Sequence, residues 1–182
     1  MEKTLQQQIQ DLRKKHNAVI LAHNYQNPEI QDIADFLGDS LDLSIKATKT
    51  DARIIVFCGV DFMAESAKIL NPEKTVILPD RTANCPMAEM VDAESLGWLI
   101  EKHPDAEVVA YINTTAEVKT LADICCTSAN GVKIVRSRKA KKIIFVPDRN
   151  LGLYIQKQVP EKEMILWPGI CSTHHNITRE DI

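Results

Sequence analysis

The chain repeats itself at a fixed spacing of 88 positions, with no gap needed to hold the alignment. Ala22 falls on Ala110, Glu29 on Glu117, the dipeptide Ala34-Asp35 on Ala122-Asp123, and Ser40 on Ser128. The apolar frame matches as well, with Ile30 on Val118 and Ile33 on Leu121. Further along, Phe57 meets Phe145, Pro72-Glu73-Lys74 meets Pro160-Glu161-Lys162, and Ile77-Leu78 meets Ile165-Leu166. Agreement in one short window is easily accidental. A single ungapped offset kept through three separated windows marks a duplicated unit. Two such units, residues 1–90 and 91–182, account for the chain, and residues at equivalent positions are predicted to face a shared centre.

Hydrophobic periodicity predicts α/β units with parallel strands. A polar helix near residues 3–15 leads into the apolar strand 18–22, and a helix is predicted over 28–37 from Ile30, Ile33, Ala34 and Leu37. Gly38-Asp39-Ser40 interrupts it before a helix near 41–50. Residues 53–58, Arg-Ile-Ile-Val-Phe-Cys, form a continuous apolar run, as expected of a strand covered on both faces. A helix near 61–70 and a strand at 75–78 complete the unit. The second unit repeats the order: strand 107–111, helices 115–124 and 129–138, strand 142–146, helix 148–158, strand 163–167. A helix near 92–102 joins the two. Thr178, with Asp181 three residues on, caps the start of a further helix.

In parallel α/β units, ligands collect outside the carboxyl ends of the strands, and there the polar residues fall. His23 and Tyr25 follow the first strand, while Tyr111 and Asn113 hold the same two positions in the second unit. Ser40 and Ser128 are predicted N-caps of the following helices. A helix N-terminus is also a seat for carboxylate or phosphate, so the set describes a pocket for a small polyanion. Composition narrows the classes further. With a net charge of −3 and both signs interspersed, the chain has no basic footprint for nucleic acid. No apolar run approaches the roughly 18 residues of a membrane span, and the polar first fifteen residues do not read as a signal peptide. A cytoplasmic protein is expected.

Five cysteines, an odd number, suit thiols or metal ligands better than a disulfide framework. Cys58, Cys125 and Cys126 sit among apolar element residues and are expected in the core. Cys85 and Cys171 instead follow the last strand of each unit, in Asn84-Cys85-Pro86 and Gly169-Ile170-Cys171. Such loop thiols can converge on one metal centre, either zinc, with His174 and His175 completing the set, or an iron–sulfur cluster.

Several segments together resemble the quinolinate synthase family, also called quinolinate synthetase A. They are Ala22-His23-Asn24-Tyr25-Gln26, Ala34-Asp35-Phe36-Leu37-Gly38-Asp39-Ser40, Cys58-Gly59-Val60-Asp61-Phe62-Met63-Ala64-Glu65, Ala110-Tyr111-Ile112-Asn113-Thr114, Cys126-Thr127-Ser128-Ala129 and Trp167-Pro168-Gly169-Ile170-Cys171. The resemblance implies three related α/β/α units with parallel sheets around a pseudo-threefold axis, of which this chain carries two and lacks the third. It implies condensation of iminoaspartate with dihydroxyacetone phosphate to quinolinate, in de novo NAD biosynthesis. It implies a [4Fe–4S] cluster held by three cysteines, Cys85 and Cys171 being two of them. His23, Ser40, Tyr111, Asn113 and Ser128 would bind substrate; Tyr25, with His23, would move protons. An L-aspartate oxidase or dehydrogenase would supply the imine. A third unit would bring the last cluster cysteine, a His-Pro-Glu-Cys stretch and a further substrate threonine. Without it, a weakly active or inactive chain is expected. Two alternatives from other classes are a zinc-binding structural protein and a catalytically dead module that binds small anions.

Overall fold

The computed structural model describes residues 3–182, with Leu41 described in its backbone only. The chain divides into two compact units after Asn84. The first runs α1 (Leu5–Lys15), β1 (Ala18–His23), α2 (Pro28–Gln31), β2 (Phe36–Gly38), α3 (Ser40–Lys49), β3 (Ile54–Cys58), α4 (Asp61–Leu70) and β4 (Thr75–Ile77). The second opens with a 3-10 turn, Ala88–Met90. It continues through α5 (Ala93–Lys102), β5 (Ala106–Tyr111), α6 (Ala116–Lys119), β6 (Ile124–Cys126), α7 (Gly131–Ser137), β7 (Lys142–Val146), α8 (Arg149–Gln158), β8 (Glu163–Leu166) and α9 (Ser172–His175). Where Thr178 predicts a helix start, the chain makes a single 3-10 turn, Arg179–Asp181, with Thr178 N donating to Asp181 Oδ2 at 2.8 Å.

Among the described residues each unit carries one four-stranded parallel sheet, ordered β2-β1-β3-β4 in the first and β6-β5-β7-β8 in the second. The duplication holds to the level of register. Ala18 pairs with Ile54 as Ala106 pairs with Lys142, and Leu21 pairs with Phe36 as Val109 pairs with Ile124. Central strands buried on both faces need unbroken apolar runs, and Leu21, Ala22, Val109 and Ala110 are fully buried.

The sequence predicts helices over 28–37 and 115–124, but each is a four-residue turn of helix followed by an edge strand. The repeated Ala-Asp dipeptide is the cause. Asp35 N donates to Ile20 O at 2.9 Å, and the Asp35 carboxylate accepts from Ile20 N at 2.8 Å. Asp123 makes the same double contact with Val108, at 3.0 Å and 2.7 Å. The carboxylate thus takes strand hydrogen bonds that a helix could not make, and draws the chain back alongside the sheet. Arg13 of α1 pairs with Asp35.

The second unit packs α7 and α8 on one face of its sheet, through Val135, Ile155 and Val159 against Val109, Ile143 and Phe145. Leu96, Leu99 and Ile100 of α5 cover the other face, against Val108, Ile144 and Val146. In the first unit, α1 carries Gln8 and Asp11 where α5 has Leu96 and Leu99. The first unit has an apolar groove of about 590 Å³ lined by residues such as Ile9, Leu12, Ile20, Ile33, Val56 and Ile77.

Repeat-equivalent lysines close both units. Lys74 Nζ donates to Ala47 O (2.9 Å) and Thr50 O (2.7 Å), and Lys162 Nζ to Arg138 O (2.5 Å) and Ala140 O (2.7 Å). Each satisfies carbonyls left over at or just past a helix C-terminus. Replacing Lys162 with Met is expected to lower the unfolding free energy by about 2 kcal/mol, the range of hydrogen bonds from a charged donor. A Cβ at Gly152 would lie 2.6 Å from Leu166 Cδ2 and 3.1 Å from Phe145 Cδ1, so Gly152→Ala should cost about 1–3 kcal/mol by overpacking. Urea unfolding measures both, and an unchanged midpoint in either variant contradicts the corresponding contact.

Candidate active site

In the order β2-β1-β3-β4 the chain leaves β1 to one side and returns on the other. The switch point lies between the carboxyl ends of β1 and β3, and in the second unit between those of β5 and β7. Such a switch point opens a crevice at the strand ends. His23 closes β1 and Tyr111 closes β5.

In the first unit the His23 and Tyr25 rings stack, with centroids 3.9 Å apart and planes tilted by 35°. Tyr25 N donates to His23 Nδ1 at 3.4 Å, and the Tyr25 hydroxyl points at Met63 Sδ at 3.8 Å. His23 is half-buried, whereas Tyr25 is 55% exposed. Burial lowers the His23 pKa from its ordinary 6.5, and the nearby Asp39 carboxylate only partly opposes this. The imidazole is therefore neutral at pH 7 and able to accept a proton. Ser40 is the first residue of α3 rather than its cap. The capping contact comes from Asp39, whose Oδ1 accepts from Asp42 N at 2.8 Å.

In the second unit, burial first, and then the acidic groups Asp148, Cys171, Cys85 and Cys126, push the Tyr111 phenol up to about 12. It is a hydrogen-bond donor at every physiological pH. Buried Thr114 donates from Oγ1 to Tyr111 O at 3.2 Å and fixes the turn that carries Asn113, itself half-buried. Ser128 is exposed, in the turn before α7. That helix is preceded by Asn130, whose Oδ1 accepts from Thr127 N at 2.7 Å. Neither serine is therefore the N-cap that its position predicts: Asp39 makes the capping contact at α3, and α7 starts at Asn130 with no side-chain cap.

Cys85 and Cys171 are half-buried, and both contribute to the upward shift of Tyr111. Both sulfurs thus lie toward the strand end that bears the phenol. Cys171 precedes α9, where His175 N donates to Cys171 O at 2.8 Å. Cys126 is buried in the core as expected, and burial raises its thiol pKa to about 12. Cys58 is half-buried at the apolar groove. Cys125 departs from the expectation and is exposed, because neighbouring residues of a strand face opposite sides.

The donor chemistry of Cys85 and Cys171, two thiols beside one phenol, fits thiolate ligation of an iron–sulfur cluster. A complete set is not formed, since no group of three or more His, Cys, Asp and Glu suited to a metal ion occurs among the described residues. For the same reason the zinc alternative lacks its four donors. His174 and His175 are both exposed, and His175 Nδ1 contacts Asn150 Nδ2 at 3.3 Å.

Sequence reading missed one residue of this region, Asp148, which is 6% exposed beside Tyr111. Its Oδ1 accepts from Asn150 N at 2.9 Å and Leu151 N at 3.5 Å, capping α8. An aspartate just after a buried strand and before a helix is a capping signal, and that signal could have singled it out.

The lowered pKa of His23 has a pH signature. The unfolded state binds the proton more readily than the folded one, so the His23 contribution to stability is complete above pH 6.5. It is lost as pH falls through 6.5 toward the lower folded value. Histidine-resolved NMR should give a His23 midpoint below 6.5, and His23→Gln should flatten the fall in stability on acidification. A midpoint at or above 6.5 contradicts the burial argument.

The profile of the family described as Quinolinate synthetase A protein matches residues 7–182. The quinolinate synthase of Aquifex aeolicus (strain VF5) is 59% identical over 180 residues, covering 99% of this chain and 56% of the relative. That of Sulfurihydrogenibium sp. (strain YO3AOP1) is 61% identical over 176 residues, 97% of this chain and 57% of the relative. The Pelobacter propionicus (strain DSM 2379) protein of the same name is 58% identical over 182 residues, 100% of this chain and 60% of the relative. The chain thus spans 56–60% of the length of these relatives. With the profile matched over residues 7–182, nearly the whole sequence, the chain belongs to the quinolinate synthetase A family, a family of enzymes.

Proposed function

We propose that the chain forms the first two repeat units of a quinolinate synthase, which condenses iminoaspartate with dihydroxyacetone phosphate to form quinolinate in de novo NAD biosynthesis. The reaction releases one phosphate and two waters as the pyridine dicarboxylate ring closes. The reading is carried by one observation above all: the half-buried thiols of Cys85 and Cys171 lie near enough to the Tyr111 phenol, at the end of β5, to help push it up to about 12. Relatives named quinolinate synthase at 58–61% identity support it.

Cys85 and Cys171 would hold a [4Fe–4S] cluster together with a third thiol, which this reading assigns to the part of the relatives' length that these residues do not span. When bound, such a three-cysteine cluster supplies a Lewis-acid iron to a substrate oxygen or nitrogen. The remaining roles belong to the chain's own side chains. Tyr111 donates a hydrogen bond to a substrate oxygen and, being neutral, adds no charge against an anionic substrate. Asn113 offers an amide donor beside it.

Neutral His23 accepts a proton during isomerisation or dehydration, and exposed Tyr25, stacked on that imidazole, takes part in the same transfers. Groups of this kind each contribute about 10²–10⁴-fold. Ser40, in the first turn of α3, offers a hydroxyl where the helix dipole favours carboxylate or phosphate. Ser128 offers a hydroxyl from the turn before α7. An iminoaspartate-producing L-aspartate oxidase or dehydrogenase is the proposed partner, because the imine hydrolyses readily in water, and the cytoplasm is the proposed location.

An anaerobic turnover assay with an iron and sulfide count tests the reading on two proteins: the 182-residue chain and one extended by a third unit. The short chain is expected to make no quinolinate above background and to hold iron weakly, and the extended chain to recover both. Full activity with a stoichiometric cluster in the short chain would show this assignment of the third ligand to be wrong. No activity in either would reject the proposed reaction.

A further inference from the structure

The two cysteine-bearing loops of the second unit are tied together away from their sulfurs. One loop runs from Cys85 into the 3-10 turn Ala88–Met90, with Glu89 N donating to Cys85 O at 3.3 Å. The other leaves β8 and ends at Cys171. They meet at Met90. Trp167 Nε1 donates to Met90 O at 2.7 Å, and Ile170 N donates to Met90 Sδ at 3.3 Å.

Gly169 seats the second loop against the corner between β7 and α8. It forms a parallel bridge with Asp148, and its carbonyl accepts from Arg149 N at 2.8 Å. A Cβ on Gly169 would lie 2.4 Å from Pro147 O and 3.4 Å from Met90 Cβ. No side chain larger than hydrogen fits there without moving backbone. The arrangement is not part of the repeated scaffold. The positions equivalent to Trp167 and Gly169 in the first unit hold Pro79 and Arg81, which supply neither an indole N–H nor the room.

We propose that Met90, Trp167 and Gly169 form a positioning clamp that sets the separation of the Cys85 and Cys171 sulfurs in the metal-free chain. The inference rests on the reading of these two cysteines as paired ligands. Its physical content is preorganisation. Two loops that must otherwise be ordered when the ligand binds are ordered beforehand, so that cost does not fall on ligation. The clamp residues act through the backbone of the loops, as groups supporting metal ligands commonly do.

The test measures how close the thiols are held, without metal. The 182-residue chain is equilibrated anaerobically in glutathione buffers of graded redox ratio. The Cys85–Cys171 disulfide is counted by mass spectrometry of proteolytic peptides, which gives the effective concentration of one thiol at the other. Trp167→Phe keeps a six-membered aromatic ring and removes the donor with the rest of the indole, Met90→Leu removes the sulfur acceptor, and Gly169→Ala forces the loop off the corner. Trp98→Phe, on an indole that is 58% exposed, is the control.

Trp167→Phe is expected to lower the effective concentration about fivefold, the factor supplied by one net hydrogen bond, while the urea midpoint barely moves. Gly169→Ala should lower it further, and if that variant does not fold, Trp167→Phe and Met90→Leu decide. Iron retained after anaerobic reconstitution should fall in the same order. Values equal to wild type in both Trp167→Phe and Met90→Leu would overturn the clamp, as would a wild-type chain that forms no such disulfide. A clamp-dependent disulfide in a chain that takes up no iron supports the clamp and counts against the cluster reading instead.

Discussion

An aspartate that follows a short helix and folds back onto a strand backbone organises each unit. Asp35 and Asp123 each accept a strand N–H through the carboxylate and donate their own N–H to the same residue's carbonyl. Hydrogen bonds to a charged acceptor contribute about 1.5–3 kcal/mol each, but the geometric effect matters more. The contact ends α2 and α6 after one turn and sets the edge strands β2 and β6 in register beside β1 and β5. With both flanks of the central strand filled, its carboxyl end becomes the switch point of the sheet. His23 and Tyr111 stand there because they come next in the chain.

The two strand ends are built alike but carry different chemistry. At β1 a half-buried imidazole stacks on an exposed phenol and is held neutral by desolvation. At β5 a phenol is held protonated by burial and by four acidic groups, three of which are thiols. Duplication supplied one backbone frame, and divergence at equivalent positions placed a proton acceptor in one unit and a permanent donor in the other. The same divergence separates the outer layers. Leu96 and Leu99 seal the second sheet, while the equivalent positions in the first unit are Gln8 and Asp11 and an apolar groove is lined by Ile9 and Leu12 of α1.

Helix N-termini show how a local rule can identify the right loop and the wrong atom. Ser40 and Ser128 both lie in polar turns before helices, where serine is a favoured cap. The caps that form use Asp39 before α3, while Asn130 closes the turn before α7. Each offers an acceptor on a side chain one atom longer than that of serine.

The repeat by itself determined most of the fold. An ungapped offset requires equivalent strands in equivalent order, and continuous apolar runs such as Ile54–Cys58 require burial on both faces, hence parallel sheets covered by helices. It also determined which residues stand at strand ends, since that follows from where apolar runs stop. Three things were decided only by tertiary structure. Helical periodicity in 28–37 and 115–124 gave way to edge strands, because a carboxylate found its partner fifteen residues back along the chain, a pairing that no local window contains. The exposure of Cys125 beside buried Cys126 depended on which face of an edge strand a helix covers. The nearness of Asp148, Cys85 and Cys171 to Tyr111 depended on loops from different strands meeting at one sheet end. Periodicity reports the environment of a residue along its own element, whereas the charges that set a pKa come from residues distant in sequence, and only the folded chain brings those together.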